Sequence, residues 1–145
     1  MDIISPGGAV PEKPAKMFEF KRVTLRVSGM MASATEYEAL KTAQGVEISC
    51  YDGPWVYHEG TSRESCLKVR KKGGDALYYE LAEFFDKIEI EKWDGFSKSN
   101  SMVLDGYSFS FEAETVSGKH IYAHGNNSYP PHYGEFLKYL QDILY

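Results

Sequence analysis

The sequence predicts an α+β domain, a single antiparallel sheet of about five or six strands with two helices packed on one face. Three observations carry that expectation. Several short runs alternate apolar and polar residues, two longer runs repeat apolar residues at helical spacing, and turn dipeptides stand at the boundaries between them.

The chain opens with Pro6, Gly7, Gly8, Pro11 and Pro14 among few apolar residues. Such a stretch can neither nucleate a helix nor bury a face, so residues 1–16 read as a flexible Pro/Gly-rich tail before one domain over 17–145. From Met17, Phe18 and Phe20 fall on one parity and Val23, Leu25 and Val27 on the other. A parity switch inside one strand marks a bulge, here near Lys21-Arg22. Residues 35–41 are read as a strand, with a short helix as the alternative. Ala43-Gln44-Gly45 then turns the chain into 46–51, where Val46, Ile48 and Cys50 alternate cleanly. Asp52-Gly53-Pro54 ends that strand, residues 57–63 form a loop, and Leu67 and Val69 suggest another short strand.

After Gly73-Gly74, Asp75 is expected to cap a helix over 75–88. In that helix Leu77, Leu81, Phe84, Phe85 and Ile88 make one apolar stripe. A second hairpin can be registered from its own residues. Tyr107, Phe109, Phe111 and Ala113 share a face with Ile121 and Ala123 only if the loop is Val116-Ser117-Gly118, with Gly118 at its left-handed position. This sets Phe111 opposite Ala123, Phe109 opposite Gly125, and Glu114, Glu112 and Ser110 opposite His120, Tyr122 and His124. Pro130-Pro131 permits a helix only from its first turn. The second helix is therefore placed over 131–144, with Tyr133, Phe136, Leu137, Leu140 and Leu144 as its stripe.

The bulk numbers exclude several classes. At 145 residues the chain can bury roughly 68 to 70% of its unfolded surface and needs no staple. A charge of -5, with no basic run beyond Lys68 to Lys72, argues against nucleic acid. No run approaches the roughly 18 apolar residues of a membrane span, and the N-terminus lacks the order of a signal peptide. As written the chain reads as cytoplasmic, although a secreted or lipid-anchored protein trimmed of its signal would look the same. Cys50 and Cys66 are too few for a disulfide framework; both fall on predicted strands, and whether they are bridged stays open. The open edge of such a sheet allows a homodimer.

The string Trp93-Asp94-Gly95-Phe96, then Leu104-Asp105-Gly106-Tyr107-Ser108-Phe109, then Ile121 through Gly125-Asn126-Asn127-Ser128-Tyr129-Pro130 resembles a set of uncharacterised bacterial proteins. In those a Trp-Asp-Gly-Phe corner precedes a hairpin and a Gly-x-Asn-x-aromatic-Pro turn. The resemblance covers the last third to half of the chain. It implies the fold and carries no activity to any residue.

His120 and His124 would lie about 13 Å apart along one strand at a rise of ~3.3 Å per residue, too far for one metal. Neither they, His58 nor His132 is expected to bind one. Glu112 and Glu114 stand about 7 Å apart on one strand face, as any outward neighbours do, although some glycosidases use such a spacing. Cys66 would need His58 as a base, and nothing in the sequence joins them. There is no nucleophile elbow or phosphate loop, and no cofactor is expected. Asp94 and Asp105 read as turn residues bonding their own backbone.

Two polar and aromatic clusters remain as candidate ligand-binding residues: Trp55 and Tyr57 on one loop, and Asn126, Asn127 and Tyr129 on the turn before the last helix. A structural reading of that turn competes, in which Asn127 or Ser128 caps the helix and Tyr129 packs on Trp93. The expected function is a non-enzymatic binding or protein-interaction module. The alternatives are a small-molecule or glycan-binding domain and a hydrolase using Glu112, Glu114 or Cys66.

Overall fold

The computed structural model describes residues 10–29, 33–54, 62–100 and 107–145. Its strands are β1 (Phe20–Ser28), β2 (Ser33–Thr42), β3 (Gly45–Pro54), β4 (Leu67–Gly73), β5 (Ser97–Ser99), β6 (Ser108–Thr115) and β7 (His120–Asn126). Its helices are α1 (Asp75–Lys87) and α2 (Tyr133–Leu144), with 3-10 turns at Glu64–Cys66 and Ile90–Trp93. The strands form one sheet in the order β4-β3-β2-β1-β6-β7-β5. All neighbours pair antiparallel except β5 and β7, which are parallel.

The sheet thus has 7 strands where about five or six were expected from alternation. β5 is the addition. Its sequence, Ser97-Lys98-Ser99, is wholly exposed and has no apolar residue to alternate. Residue 35–41 is strand, not helix, and β3 runs through Pro54, which stands opposite Ser33 at the strand's last position. Cys66 lies in the 3-10 turn and not on a strand. It and Cys50 are free thiols.

The bulge appears where parity placed it: the β1–β6 register shifts between Phe20 and Arg22. That shift turns Phe20, Val23 and Leu25 all inward, each at 2% exposure or less. In the β6–β7 hairpin Phe111 faces Ala123, Phe109 faces Gly125 and Glu114 faces His120. Gly118 takes a left-handed φ of 95°, and its N–H donates to the Thr115 carbonyl at 3.0 Å.

Both helices pack on the same core. Phe85 of α1 and Phe136 of α2 have centroids 5.6 Å apart, and Phe136 meets Phe111 of the sheet at 5.8 Å. Helix α1 begins one residue earlier than a cap at Asp75 predicts: Gly74 is its N-cap, with no side-chain cap. Asp75 is instead inside the first turn, where its carboxylate complements the positive end of the helix dipole. Helix α2 starts at Tyr133, two residues after Pro131, because His132 adopts a left-handed φ of 67°. It starts beside β6 and ends over β3 and β4, where Lys71 Nζ donates to the Ile143 carbonyl at 3.1 Å.

The opposite face of the sheet carries charge. Arg63 Nη1 reaches Glu36 at 2.8 Å and Glu38 at 3.2 Å, and its guanidinium lies 4.4 Å from the Tyr51 ring centroid. Arg26 adds a bond to Glu36 at 3.1 Å and Arg22 a looser contact to Glu38 at 3.7 Å. Both glutamates are nearly buried, 9% and 8% exposed. Next to them Arg70 contacts Ser49, the Tyr51 hydroxyl, Glu64 and Glu47.

Candidate functional site

The sheet register brings one end of the molecule into focus. Ser28 pairs with Ala34 and Ser108, Ser108 with Asn126, and Asn126 with Ser99, while Ser33 pairs with Pro54. These pairs form one rim across the sheet. On it lies the turn with Asn126, Asn127 and Tyr129. Trp55, Tyr57, His58 and Asp105 fall outside the described residues.

The turn is fixed on both sides. Asn127 N–H donates to the Tyr107 carbonyl at 2.9 Å, and Tyr107 N–H donates to Asn127 Oδ1 at 3.0 Å. This reciprocal pair extends the hairpin by one step while Asn127 sits at a left-handed φ of 54°, a conformation Asn tolerates better than most residues. Asn126 Oδ1 accepts from the Ser108 hydroxyl, and the Asn126 carbonyl accepts from Asn100 N–H at 2.9 Å. A side chain at Gly125 would collide with the Ser128 carbonyl and stand 2.9 Å from the Phe109 ring. Only glycine lets the turn fold down onto Phe109.

This arrangement corrects several sequence readings. Neither Asn127 nor Ser128 caps α2; its N-cap is His132, without a side-chain cap. Tyr129 packs on Phe109 (5.6 Å) and Tyr133 (4.5 Å), both stacked, and not on Trp93. The Trp93 indole donates to the Pro131 carbonyl at 3.0 Å and tucks against Phe111 and Phe136. Asp94 bonds across to Tyr122 N–H at 3.0 Å, not to its own turn.

What the sequence did not suggest is a row of tyrosines along the outer edge of α2. Tyr129 is 40% exposed, whereas Tyr133 is 9% exposed. The Tyr133 hydroxyl is fully buried yet has no hydrogen-bond partner among the described residues. Its electrostatic neighbours are Tyr129 and Tyr37. The Tyr37 hydroxyl in turn accepts from Gln141 Nε2 at 3.3 Å, and beyond it stand Cys50 and Asp52. At the other end the Tyr107 ring leans over Gly29, 2.7 Å from where a Cβ would be, and lies near Tyr129. The row therefore draws on β2, β6, the 125–130 turn and α2.

Burial pushes the Tyr37, Tyr129 and Tyr133 phenols up from their ordinary value, because the charged form is disfavoured in a poorly solvated site. For Tyr37 the Gln141 hydrogen bond opposes this without reversing it. At neutral pH these three are thus uncharged phenols. Burial likewise raises the Cys50 thiol, which makes it a poor nucleophile. The flanking charges are committed: Asp52 pairs with Lys68 at 3.5 Å and accepts from Thr35 at 3.1 Å, and His132 pairs with Glu135 at 2.8 Å.

Of the remaining candidates, Glu112, Glu114 and His120 come together with Arg22 around one small concavity, and Cys66 does not join them. Glu112, Glu114 and His120 occupy the helix-free face, where His120 stacks on Tyr122 at 6.0 Å and Glu114 meets Lys21 at 3.8 Å. The Cys66 thiol has Ser65 Oγ at 3.9 Å and no histidine bonded to it among the described residues. No group of three or more His, Cys, Asp or Glu among those residues is placed to hold a metal ion. An open groove lies elsewhere, between α1 and the Ile90–Trp93 turn, and includes Glu83, Asp86, Glu89 and Lys92. Glu89 and Lys92 pair across it, and its charges of both signs face solvent.

Fold and site together define a two-layer α+β domain with a tyrosine-lined rim. Neither a family model, a curated protein nor a solved structure matches the chain, so function rests on the geometry of that rim.

Proposed function

We propose that this protein is a non-enzymatic binding module whose ligand seats on the tyrosine row, with Asn126, Asn127 and Tyr129 at its edge. One observation carries the reading: the buried Tyr133 hydroxyl has no partner among the described residues. Burying a hydroxyl without a hydrogen bond costs about 1–3 kcal/mol, and such a group in an otherwise well-satisfied protein calls for an explanation. A ligand that completes the bond supplies one. The neutral phenols and raised thiol argue for recognition and against acid-base or nucleophilic chemistry.

Amide chemical-shift mapping during a fragment screen tests this. Binding fragments should perturb Tyr37, Tyr107 and residues 125–133 together. Perturbations confined to the helix-free face, or to the groove beside α1, would overturn the proposal.

A further inference from the structure

We infer that the ligand of the tyrosine row is a neutral carbohydrate, an inference that rests on the binding reading above and names its ligand class. Three features select this chemistry. The first is charge. Burial holds Tyr37, Tyr129 and Tyr133 in the phenol form. Asp52 is paired with Lys68, the Glu135 carboxylate is hydrogen-bonded to the His132 ring, and Lys98 lies 5.4 Å from the Phe96 ring centroid on the parallel strand β5. Among the described residues, an anionic ligand would find no uncommitted guanidinium there, and a cationic one no carboxylate without a partner.

The second feature is the mixture of aromatic surface with hydrogen-bond capacity. Tyr129 is stacked on Tyr133 and Phe109 from one side and remains 40% exposed, so the stack holds a ring in place for the apolar face of a sugar. Around it the hydrogen-bonding atoms are incompletely used. The Tyr133 hydroxyl has no described partner. Tyr37 accepts from Gln141, which leaves its own proton free to donate. Asn126 is exposed, accepts through Oδ1 from Ser108 and carries an Nδ2 donor beside it. A purely apolar ligand would cover these groups without pairing them, at a desolvation cost. A polyhydroxylated ring meets both needs.

The third feature is rigidity. The turn backbone is clamped by the reciprocal Asn127–Tyr107 bonds and by Asn100 to Asn126, so ligand affinity is not spent on ordering it, and only the side chains that cover the Tyr133 hydroxyl have to move to admit the ligand.

The test is a binding panel on the full chain, read by calorimetry and by melting temperature. One arm is neutral oligosaccharides built from glucose, mannose, galactose or N-acetylglucosamine. A second is uronate- and sulfate-bearing oligosaccharides, and a third is short uncharged peptides. The inference expects binding in the neutral-sugar arm, lost in Tyr129→Ala. Tyr133→Phe should weaken it about five- to tenfold, the loss of one neutral hydrogen bond, while leaving the unliganded melting temperature unchanged or higher. A merely structural hydroxyl would lower that temperature and leave affinity alone. Binding confined to the charged-sugar or peptide arm and lost in Tyr129→Ala overturns the carbohydrate class while keeping the binding reading. Neutral-sugar binding indifferent to both substitutions, or no binding in any arm, overturns both.

Discussion

The helix-free face and the tyrosine-lined rim handle polar groups in opposite ways. On the helix-free face, two nearly buried carboxylates share three guanidiniums, and Arg63 itself is stacked on Tyr51. At the rim, phenols are buried beside one another and Tyr133 has no described partner. The first pattern is that of a surface satisfied from within the chain. The second leaves hydrogen-bonding capacity unfilled among the described residues, which the proposed ligand would fill. A polar residue's meaning therefore comes from its partners and not from its type.

The largest expected effect lies at the rim's foundation. Gly125→Ala would push a methyl against the Ser128 carbonyl and the Phe109 ring. Backbone cannot yield as a flexible side chain can, so the turn must shift, and overpacking of this kind costs about 3 kcal/mol. Urea unfolding should show a lower midpoint with the same slope. A variant as stable as the parent would mean that the turn does not depend on this close approach.

Next comes the helix-free face. Arg63→Ala removes the guanidinium shared by Glu36 and Glu38. Stripping a partner from a fully buried pair costs several kcal/mol, but Arg63 is partly exposed and Arg26 and Arg22 remain. About 2 kcal/mol is the expected loss. If Arg63→Ala were neutral, the network would be ordinary surface charge and the contrast drawn above would fall.

How much of this was legible is uneven, for physical reasons. The β6–β7 register could be read because two faces and one left-handed position over-determine it: only a loop ending at Gly118 puts Phe109, Phe111, Ile121 and Ala123 on one side. β5 could not, since an exposed Ser-Lys-Ser has strand character only by pairing with β7. The turn residues Asn126, Asn127 and Tyr129 were visible as a cluster because they are neighbours in sequence. Tyr37 and Tyr133 were not, because α2 must cross the sheet before residues nearly a hundred positions apart can meet. Nor does the sequence join Glu36 and Glu38 to Arg63, which binds both from 27 and 25 positions further along the chain.

Two buried phenols give a second comparison inside the core. Tyr78 donates to the Phe20 carbonyl at 2.7 Å, whereas Tyr133 donates to no described residue. Tyr78→Phe should therefore cost about 1.5 kcal/mol, from the lost bond and the stranded carbonyl, and Tyr133→Phe should cost nothing. Burial also pushes the Tyr78 phenol up to about 12 from 10.0. The folded state then holds its proton more tightly than the unfolded one. The stability this represents is fully present below pH 10 and is lost as pH rises toward 12. A melting-temperature profile should fall through that window, and less steeply in Tyr78→Phe. Equal slopes in parent and variant would place the alkaline transition elsewhere.

The smallest effect concerns the side chain that ties the turn to β6. Asn127→Ala removes the acceptor for Tyr107 N–H and puts a less tolerant residue at a φ of 54°. The donor lies near the exposed Tyr107 and can turn to water, which limits the loss to about 1 kcal/mol. Asn127→Gly separates the two contributions. Glycine restores the left-handed backbone but not the acceptor, so it should recover part of the alanine loss if strain matters and none if the hydrogen bond alone does. The drop in melting temperature should appear without any ligand, because the clamp belongs to the fold. Ligand affinity should then fall as well, through loss of preorganisation at Tyr129 and not through loss of a contact. An Asn127→Ala protein that melts like the parent but binds poorly would move Asn127 from the scaffold of the rim into its recognition surface.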